Sequence, residues 1–312
     1  MNSQFAAVIM AAGKSTRMKS ALPKAAHPIC GKPMARHIIS ACRKAGVADI
    51  IVIVGHEAQK VKDALGRDVA YACQSEQLGT GHAVMQAFPH IPDHCAAVLV
   101  LPADTPLITS VAIKSLMETH LSESNAATLL SAELDDPSHY GRVVRKSDGS
   151  VLRVCEAKDA DEATLAICEI NTSIYCFDKH LLAKNLALLK TDNAQGEYYL
   201  TDVIELLNKD SQRVGATSAK DSADTLGINN RIELAKATAA MRKRILNKLM
   251  LAGVTIIDPE TTYVDWDVEI GRDTTLHPCT IIESGSKIGS GCEIGPFVRL
   301  SQVIIPDATD SA

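Results

Sequence analysis

Short apolar runs alternate with longer amphipathic stretches through the first 134 residues. FAAVIM (5–10), IIVIV (50–54), VAYAC (69–73), AAVLVL (96–101) and AATLLSAEL (126–134) read as strands. The first carries no charge and is apolar on both faces, as a strand buried in a parallel sheet must be. Helical patterns fill the gaps at 32–46, 57–65, 81–88 and 110–120. The first is placed to open at Lys32-Pro33-Met34 and to close at Gly46, because proline suits the first helical position and glycine the C-cap. This alternation predicts a doubly wound α/β sheet, whose ligand sits beyond the C-terminal strand ends.

The pattern then changes. HYGRVVR, VLRVCEAKDA and CEINTSIYCF read as strands of an added antiparallel layer over the sheet, with a turn at Asp148-Gly149. NAQGEYYLTDVIELL begins an amphipathic helix. Arg231–Leu251 reads as an amphipathic arm with apolar positions at Ile232, Met241, Ile245, Leu246, Leu249 and Met250. Beyond Gly253 the period becomes six, with Val264, Ile270, Leu276, Ile282, Ile288, Ile294 and Leu300 in register and small residues often two positions earlier. Gly271, Gly289 and Gly295 follow three of these. A six-residue repeat marks a parallel β-helix, and seven hexads make two to three coils. The expected segments are therefore an α/β domain over 1–228, a helical arm over 229–252, a β-helix over 253–305 and a polar tail over 306–312.

Composition narrows the partners. The 312 residues are 46% apolar, enough for a sizeable core. A net charge of −5 and 4% aromatics give no reason to expect nucleic acid. No apolar run approaches the roughly 18–20 residues that span a bilayer, and no basic residue precedes the N-terminal apolar run. Nine scattered cysteines without a C-x-x-C pair read as reduced thiols of a cytoplasmic protein.

Candidate chemistry gathers where the strands end. After FAAVIM, Ala11, Ala12 and Gly13 let backbone approach a ligand, with φ > 0 open to Gly13. Arg17 and Lys24 add charge, so the stretch reads as a cradle for a nucleotide triphosphate. Neither G-x-x-x-x-G-K-[ST] nor G-x-G-x-x-G is present. In the loop QSEQLGTGHAV, Gln74 and Gln77 can read a base or sugar edge, and Gly79-Thr80-Gly81 can start a helix that favours anions. His82 in that helix reads as structural. Asp104, held between Pro102 and Pro106, suits Mg²⁺ shared with phosphates, while a turn cap is the alternative in isolation. Gly141, Glu156 and Asn171 interrupt strand-like runs, where Glu and Asn pair equally well with sugar hydroxyls or with structural partners.

The string AAGKSTRMKSALPK resembles the signature loop of sugar-phosphate nucleotidyltransferases, with Ser15 where that pattern has glycine. With LGTGHA, PADTPL, YGR, EAKDA, EINT, GEYYLTD and GINNR following in order, the chain resembles N-acetylglucosamine-1-phosphate uridyltransferases over about residues 5–300. Ala103 and Ser173 are further departures, each standing where the family has glycine. The resemblance implies a Rossmann-like nucleotidyltransferase domain followed by a short left-handed parallel β-helix, assembled as a homotrimer. It implies that Arg17 and Lys24 act at the triphosphate, with Ala11, Gly13, Gln74, Gly79 and Thr80 holding the uracil nucleotide. Gly141, Glu156, Asn171 and Asn229 would hold the sugar, and Asp104 with Asn229 would bind Mg²⁺. The implied substrates are UTP and N-acetylglucosamine-1-phosphate, with neither nucleic acid nor membrane as partner. Acetyl transfer, carried by further coils in relatives, is not expected of this chain. Two alternatives remain: another nucleotide and sugar pair, such as dTTP with glucose-1-phosphate, or a non-catalytic trimeric regulatory subunit.

Overall fold

In the computed structural model, residues 4–137 and 139–308 are described; residues 309–312 of the expected polar tail lie outside them. The chain forms two compact units. One runs to Ala26 and resumes over Met34–Asn229; the other takes His27–Pro33 and the chain from Asn230 onward.

The first unit is built on strand β1 (Phe5–Met10). Its alternate residues serve two cores, Ala6 and Val8 on one face, Phe5, Ala7 and Ile9 on the other. That is why the strand is apolar throughout. Next in sequence come β2 (Pro28–Ile29) and β3 (Lys32–Pro33), a two-stranded hairpin of the second unit, and then helix α1 (Met34–Lys44). The expected helix start at Lys32 is therefore corrected. Cys30 (φ 44°) and Gly31 (φ 75°) both adopt left-handed backbone, the requirement of a tight two-residue hairpin turn, and Pro33 ends the strand instead of opening the helix.

The unit continues with β4 (Asp49–Val54), α2 (Ala58–Leu65), β5 (Ala70–Cys73), α3 (Thr80–Ala87), β6 (Ala97–Pro102), α4 (Ser110–Ser122) and β7 (Ala127–Glu133). Then follow β8 (Arg142–Arg145), β9 (Val151–Cys155), α5 (Glu162–Leu165), β10 (Glu169–Asp178), α6 (Lys179–Leu186), α7 (Asp202–Lys209) and β11 (Val214–Ser218). Strands β5, β4, β1 and β6 are parallel, and β10 inserts antiparallel between β6 and β7. The antiparallel segment is not a layer over the sheet. The β8–β9 hairpin continues the same sheet by pairing Arg142 with Ile170 of β10. EAKDA lies outside the strands, and the run 189–201 is loop before α7.

The second unit holds α8 (Arg231–Leu251). Asn230 caps it, its side chain accepting from the N–H groups of Ile232 (2.9 Å) and Glu233 (3.0 Å), which satisfies two otherwise orphaned donors. Ala237, Met241, Ile245, Leu246 and Leu249 are buried, but Ile232 is 70% exposed. The apolar stripe thus begins a turn later than the sequence pattern places it. Two-residue strands β12 (Thr255–Ile256), β13 (Tyr263–Val264), β14 (Glu269–Ile270), β15 (Thr275–Leu276), β16 (Ile281–Ile282), β17 (Lys287–Ile288), β18 (Glu293–Ile294), β19 (Arg299–Leu300) and β20 (Ile304–Ile305) follow. They form three parallel sheets, β12-β15-β18, β13-β16-β19 and β14-β17-β20, the three sides of a β-helix. Three strands per side make three coils, the upper end of the expected range. The coil gains Ile256 and Ile305, which stand eight residues before Val264 and five after Leu300 and so fall outside the six-residue register.

Thr262, Thr274, Thr280 and Ser286 are wholly buried two positions before inward-pointing residues. Each threonine hydroxyl donates to a backbone carbonyl at 2.7 Å, which removes the cost of burying it. At Gly271 and Gly289 the backbone of the next coil lies so close that a Cβ would overlap it.

Candidate active site

The loop after β1 turns through Ser15 (φ 54°) and Lys19 (φ 46°), which bracket a single turn at Thr16–Met18. The left-handed conformation thus falls on Ser15 and not on Gly13, and this is the position where the signature loop carries glycine. Buried Met18 anchors the turn. Arg17 reaches back so that its Nη2 donates to Asn229 Oδ1 at 2.9 Å. Lys24 Nζ donates to the same oxygen at 3.0 Å and to Asp104 Oδ2. Asp104 directly follows Ala103 at the end of β6, and its backbone carbonyl accepts from Ile228 N–H at 2.9 Å. Gly227 lies beside its carboxylate, where an added Cβ would stand 3.4 Å from Asp104 Oδ1 in ordinary van der Waals contact.

These groups line an open cleft of about 380 Å³, with Ala11, Gly13 and Lys14 on its other wall. It sits beyond the C-terminal ends of β1 and β6, where an α/β sheet presents its ligand site. Two hard oxygens, Asp104 Oδ2 and Asn229 Oδ1, converge on one ammonium group. A position that already attracts a cation to two such donors, next to basic groups suited to phosphate, fits Mg²⁺ completed by phosphate oxygens and water.

A second cleft of about 520 Å³ shares Met10, Gly13, Lys14 and Pro102 with the first and is otherwise lined by Gln74, Gln77, Gly79, Thr80, Ser173 and Glu197, among others. Gln74 is buried, and its Nε2 donates to Gly79 O at 3.1 Å and lies 3.2 Å from His82 Nδ1. It holds the loop in shape. Gly79 adopts φ 111°, and a Cβ there would press on the backbone of Tyr198. Gly81 N–H donates to Tyr198 O (2.8 Å), Tyr198 N–H to Leu78 O (2.9 Å) and Leu200 N–H to Thr80 Oγ1 (2.9 Å). Segment 197–200 is thereby stitched along the loop, bringing Glu197 to the cleft. The sequence reading did not single out Lys14, Ser173 or Glu197 as ligands. The GEYYLTD string was the available signal for Glu197.

Gly141, Glu156 and Asn171 come together at the β8–β9 end of β10 but line neither cleft. Asn171 N–H donates to Gly141 O at 2.8 Å, and a Cβ on Gly141 would stand 3.5 Å from Glu156 Oε2. Asn171 is buried, its Nδ2 donating to Tyr175 Oη at 2.6 Å. The strand bulges between Asn171 and Ile174, with Ser173 at φ 61°. Burial pushes the Glu156 carboxyl above its ordinary range, helped by Asp159 and Asp202. The Thr201 hydroxyl, donating to Oε1 at 3.3 Å, works against that rise. Gly227 N–H donates to the Tyr140 hydroxyl at 3.3 Å, joining this corner to the strand of chain that carries Asn229.

Comparison with known proteins identifies the family. Residues 7–198 match the MobA-like NTP transferase domain, and residues 267–302 match the bacterial transferase hexapeptide (six repeats). The "Bifunctional protein GlmU" of Exiguobacterium sibiricum is 48% identical over 299 residues, 95% of this chain and 67% of the relative. The chain belongs to the GlmU family. GlmU of Geobacillus thermodenitrificans is 50% identical over 97% of this chain and 66% of its own length; for GlmU of Brevibacillus brevis the figures are 48%, 96% and 65%. The chain thus spans about two thirds of the length of the GlmU proteins it matches. A solved structure titled a putative glucose-1-phosphate thymidylyltransferase from Bacillus anthracis, in complex with a sucrose, superposes with a TM-score of 0.62. It covers 76% of this chain and 94% of its own, at 19% identity, and supports the fold alone. The architecture is therefore a Rossmann-like nucleotidyltransferase domain followed by a short left-handed β-helix, as expected.

Proposed function

We propose that the protein transfers a uridylyl group from UTP to N-acetylglucosamine-1-phosphate, giving UDP-N-acetylglucosamine and pyrophosphate, with Mg²⁺ as cofactor. The observation that carries this reading is the convergence of Arg17, Lys24, Asp104 and Asn229 on one cleft at the sheet's C-terminal edge. A phosphate oxygen of the sugar phosphate attacks the α-phosphorus of UTP, the α–β bridging P–O bond breaks, and pyrophosphate leaves with the electron pair. The nucleophile is already anionic, so no general base is needed. Catalysis then rests on alignment and on stabilising charge.

Arg17, Lys14 and Lys24 face the triphosphate and stabilise the charge that accumulates on the leaving group. Gln74, Gly79 and Thr80 shape the nucleotide wall, with Ala11 and Gly13 allowing close backbone approach. Gly141, Glu156 and Asn171 hold the acetamido sugar, with Asn229 between sugar and phosphate. Asp104 and Asn229 are the residues that would hold Mg²⁺, which supplies alignment and charge neutralisation of the phosphates when bound. Lys24 donates to an oxygen of each residue, which keeps its ammonium beside the phosphates they would align.

We further propose a homotrimer assembled through the β-helix, whose surface exposes Tyr263, Ile281, Phe297 and Ile304. Light scattering at three times the 33.3 kDa chain mass tests this. A cytoplasmic location fits the nucleotide substrate and the nine free cysteines; no helix among the described residues is long and apolar enough to cross a membrane. The deciding experiment is pyrophosphate release from UTP and N-acetylglucosamine-1-phosphate, with and without EDTA and with glucosamine-1-phosphate alongside. Metal-dependent release that prefers the acetylated sugar is expected. Silence from folded protein with this pair would overturn the reading.

A further inference from the structure

The opposite edge of the sheet carries a cluster that nucleotidyl transfer does not use. Asp49 opens β4, where it pairs with Ala6 of β1, and His94 and Cys95 close the turn before β6. That turn is fixed by the backbone, because the N–H groups of Ala96 and Ala97 both donate to Gln4 O. His94 Nε2 lies 3.0 Å from Asp49 Oδ2, and Cys95 Sγ lies 3.8 Å from the same oxygen. One ligand atom from each of the three residues falls within 4.8 Å of the others.

We propose that Asp49, His94 and Cys95 form a Zn²⁺ site, with water completing the tetrahedron. A carboxylate oxygen, an imidazole nitrogen and a sulfur make a mixed, borderline-soft set that zinc accepts and that magnesium or calcium does not. Ligands about 2.0–2.3 Å from a tetrahedral ion stand roughly 3.3–3.8 Å from one another, so the observed separations need only small side-chain rotations. The ion would replace the present contact between His94 and Asp49. Cys95 is buried while His94 and Asp49 are partly exposed, which gives a sulfur anchor inside and an entry path outside.

Burial, and then the charge of Asp49, raise the Cys95 thiol above its ordinary range, against a lowering by Lys179. Binding must therefore release the thiol proton to solvent as the Zn–S bond forms. Lys179 does not compete for the centre, since its Nζ donates to Pro92 O at 2.9 Å. Strand β6, six residues long, separates this cluster from Asp104, a distance on the order of 20 Å. The site is thus independent of the proposed reaction, and the bound ion would tie the turn of residues 92–95 to the start of β4.

The test is titration of the metal-free full chain with Zn²⁺ against a chromophoric chelator, alongside Co²⁺ absorption spectra. Wild type is compared with His94→Gln, Cys95→Ser and Asp49→Asn, each verified as folded by circular dichroism. His94 is exposed at the surface, so its variant keeps the test open if Cys95→Ser fails to fold. The expected result is one Zn²⁺ equivalent whose affinity drops at least tenfold in His94→Gln, and a thiolate-to-cobalt charge-transfer band that Cys95→Ser abolishes. No thiolate band in wild type, or Zn²⁺ binding unchanged by all three substitutions, would overturn the proposal.

Discussion

Lys24, Asp104 and Asn229 come from three distant parts of the chain and meet at one cleft. Leu276, Ile282 and Ile288 are successive hexad partners, and each fills one side of the same coil. In the cleft Arg17 and Lys24 share the Asn229 oxygen, and Lys24 alone also reaches Asp104. In the coil the same solution recurs on all three sides: one apolar residue inward, one small residue two positions before it. The proposed chemistry therefore rests on a few groups brought from distant parts of the chain, whereas packing in the β-helix is shared among near-equivalent ones. Substitutions should separate the two properties.

The largest separation is expected at the cleft. Lys24→Ala or Asp104→Ala should lower turnover by roughly 10²–10³, about 3–4 kcal/mol of barrier, while the melting temperature stays near wild type. Steady-state pyrophosphate release and thermal unfolding on the same preparation check this; a variant with wild-type turnover removes that residue from the mechanism. The converse substitution is Leu276→Ala, which empties a fully buried position. It should cost about 2–5 kcal/mol of stability and leave kcat per folded molecule unchanged, read by denaturant unfolding and active-site titration. Equal loss of kcat would break the contrast between the two regions.

Glu156 offers a sharper test through pH. Its carboxyl is raised in the folded state, so the folded chain keeps a proton that the unfolded chain loses. That favours folding below the ordinary carboxylate range, and the advantage is lost as pH rises through the raised value. Glu156→Gln should thus match wild-type stability in acid and exceed it increasingly toward neutrality, where the curves run parallel. A stability difference that is flat, or that grows toward acid, contradicts the assigned environment. The smallest effect is expected at Ser15 and Ser173, the two cleft-lining serines with left-handed backbone. Ser15→Gly and Ser173→Gly should each raise stability by no more than about 1 kcal/mol, since strain relief is partly offset by the greater freedom of glycine in the unfolded chain. A loss of stability in both would mean that their side chains hold the loops.

Much of this is legible in the sequence. Strands buried on both faces announce themselves as uncharged runs, and β1, β4 and β6 fall where the pattern puts them. The six-residue period marks the β-helix because each side of a coil presents one inward position per hexad. What was lost follows from the same physics. The β2–β3 hairpin has two-residue strands, too short to show a period, and its turn depends on a left-handed Cys30 that composition does not flag. Ile256 and Ile305, the first and last inward positions of the coil, lie outside the pattern because they break the six-residue spacing. Gly13 drew the prediction of positive φ by propensity, yet the loop places that turn on Ser15. Asn229 was nameable only by resemblance, since a single asparagine before a helix reads as a cap; its neighbour Asn230 takes that role.

The bond from Ile228 N–H to the Asp104 carbonyl, and the reach of Lys24 across 205 residues to Asn229, also bear on synthesis. At about 5–20 residues per second, Asn229 leaves the ribosome some tens of seconds after Lys24. Through that interval the nascent chain lacks the asparagine oxygen to which Arg17 and Lys24 donate in the folded protein. On the proposed reading, a chain ending before Asn229 therefore lacks a group that the transfer requires.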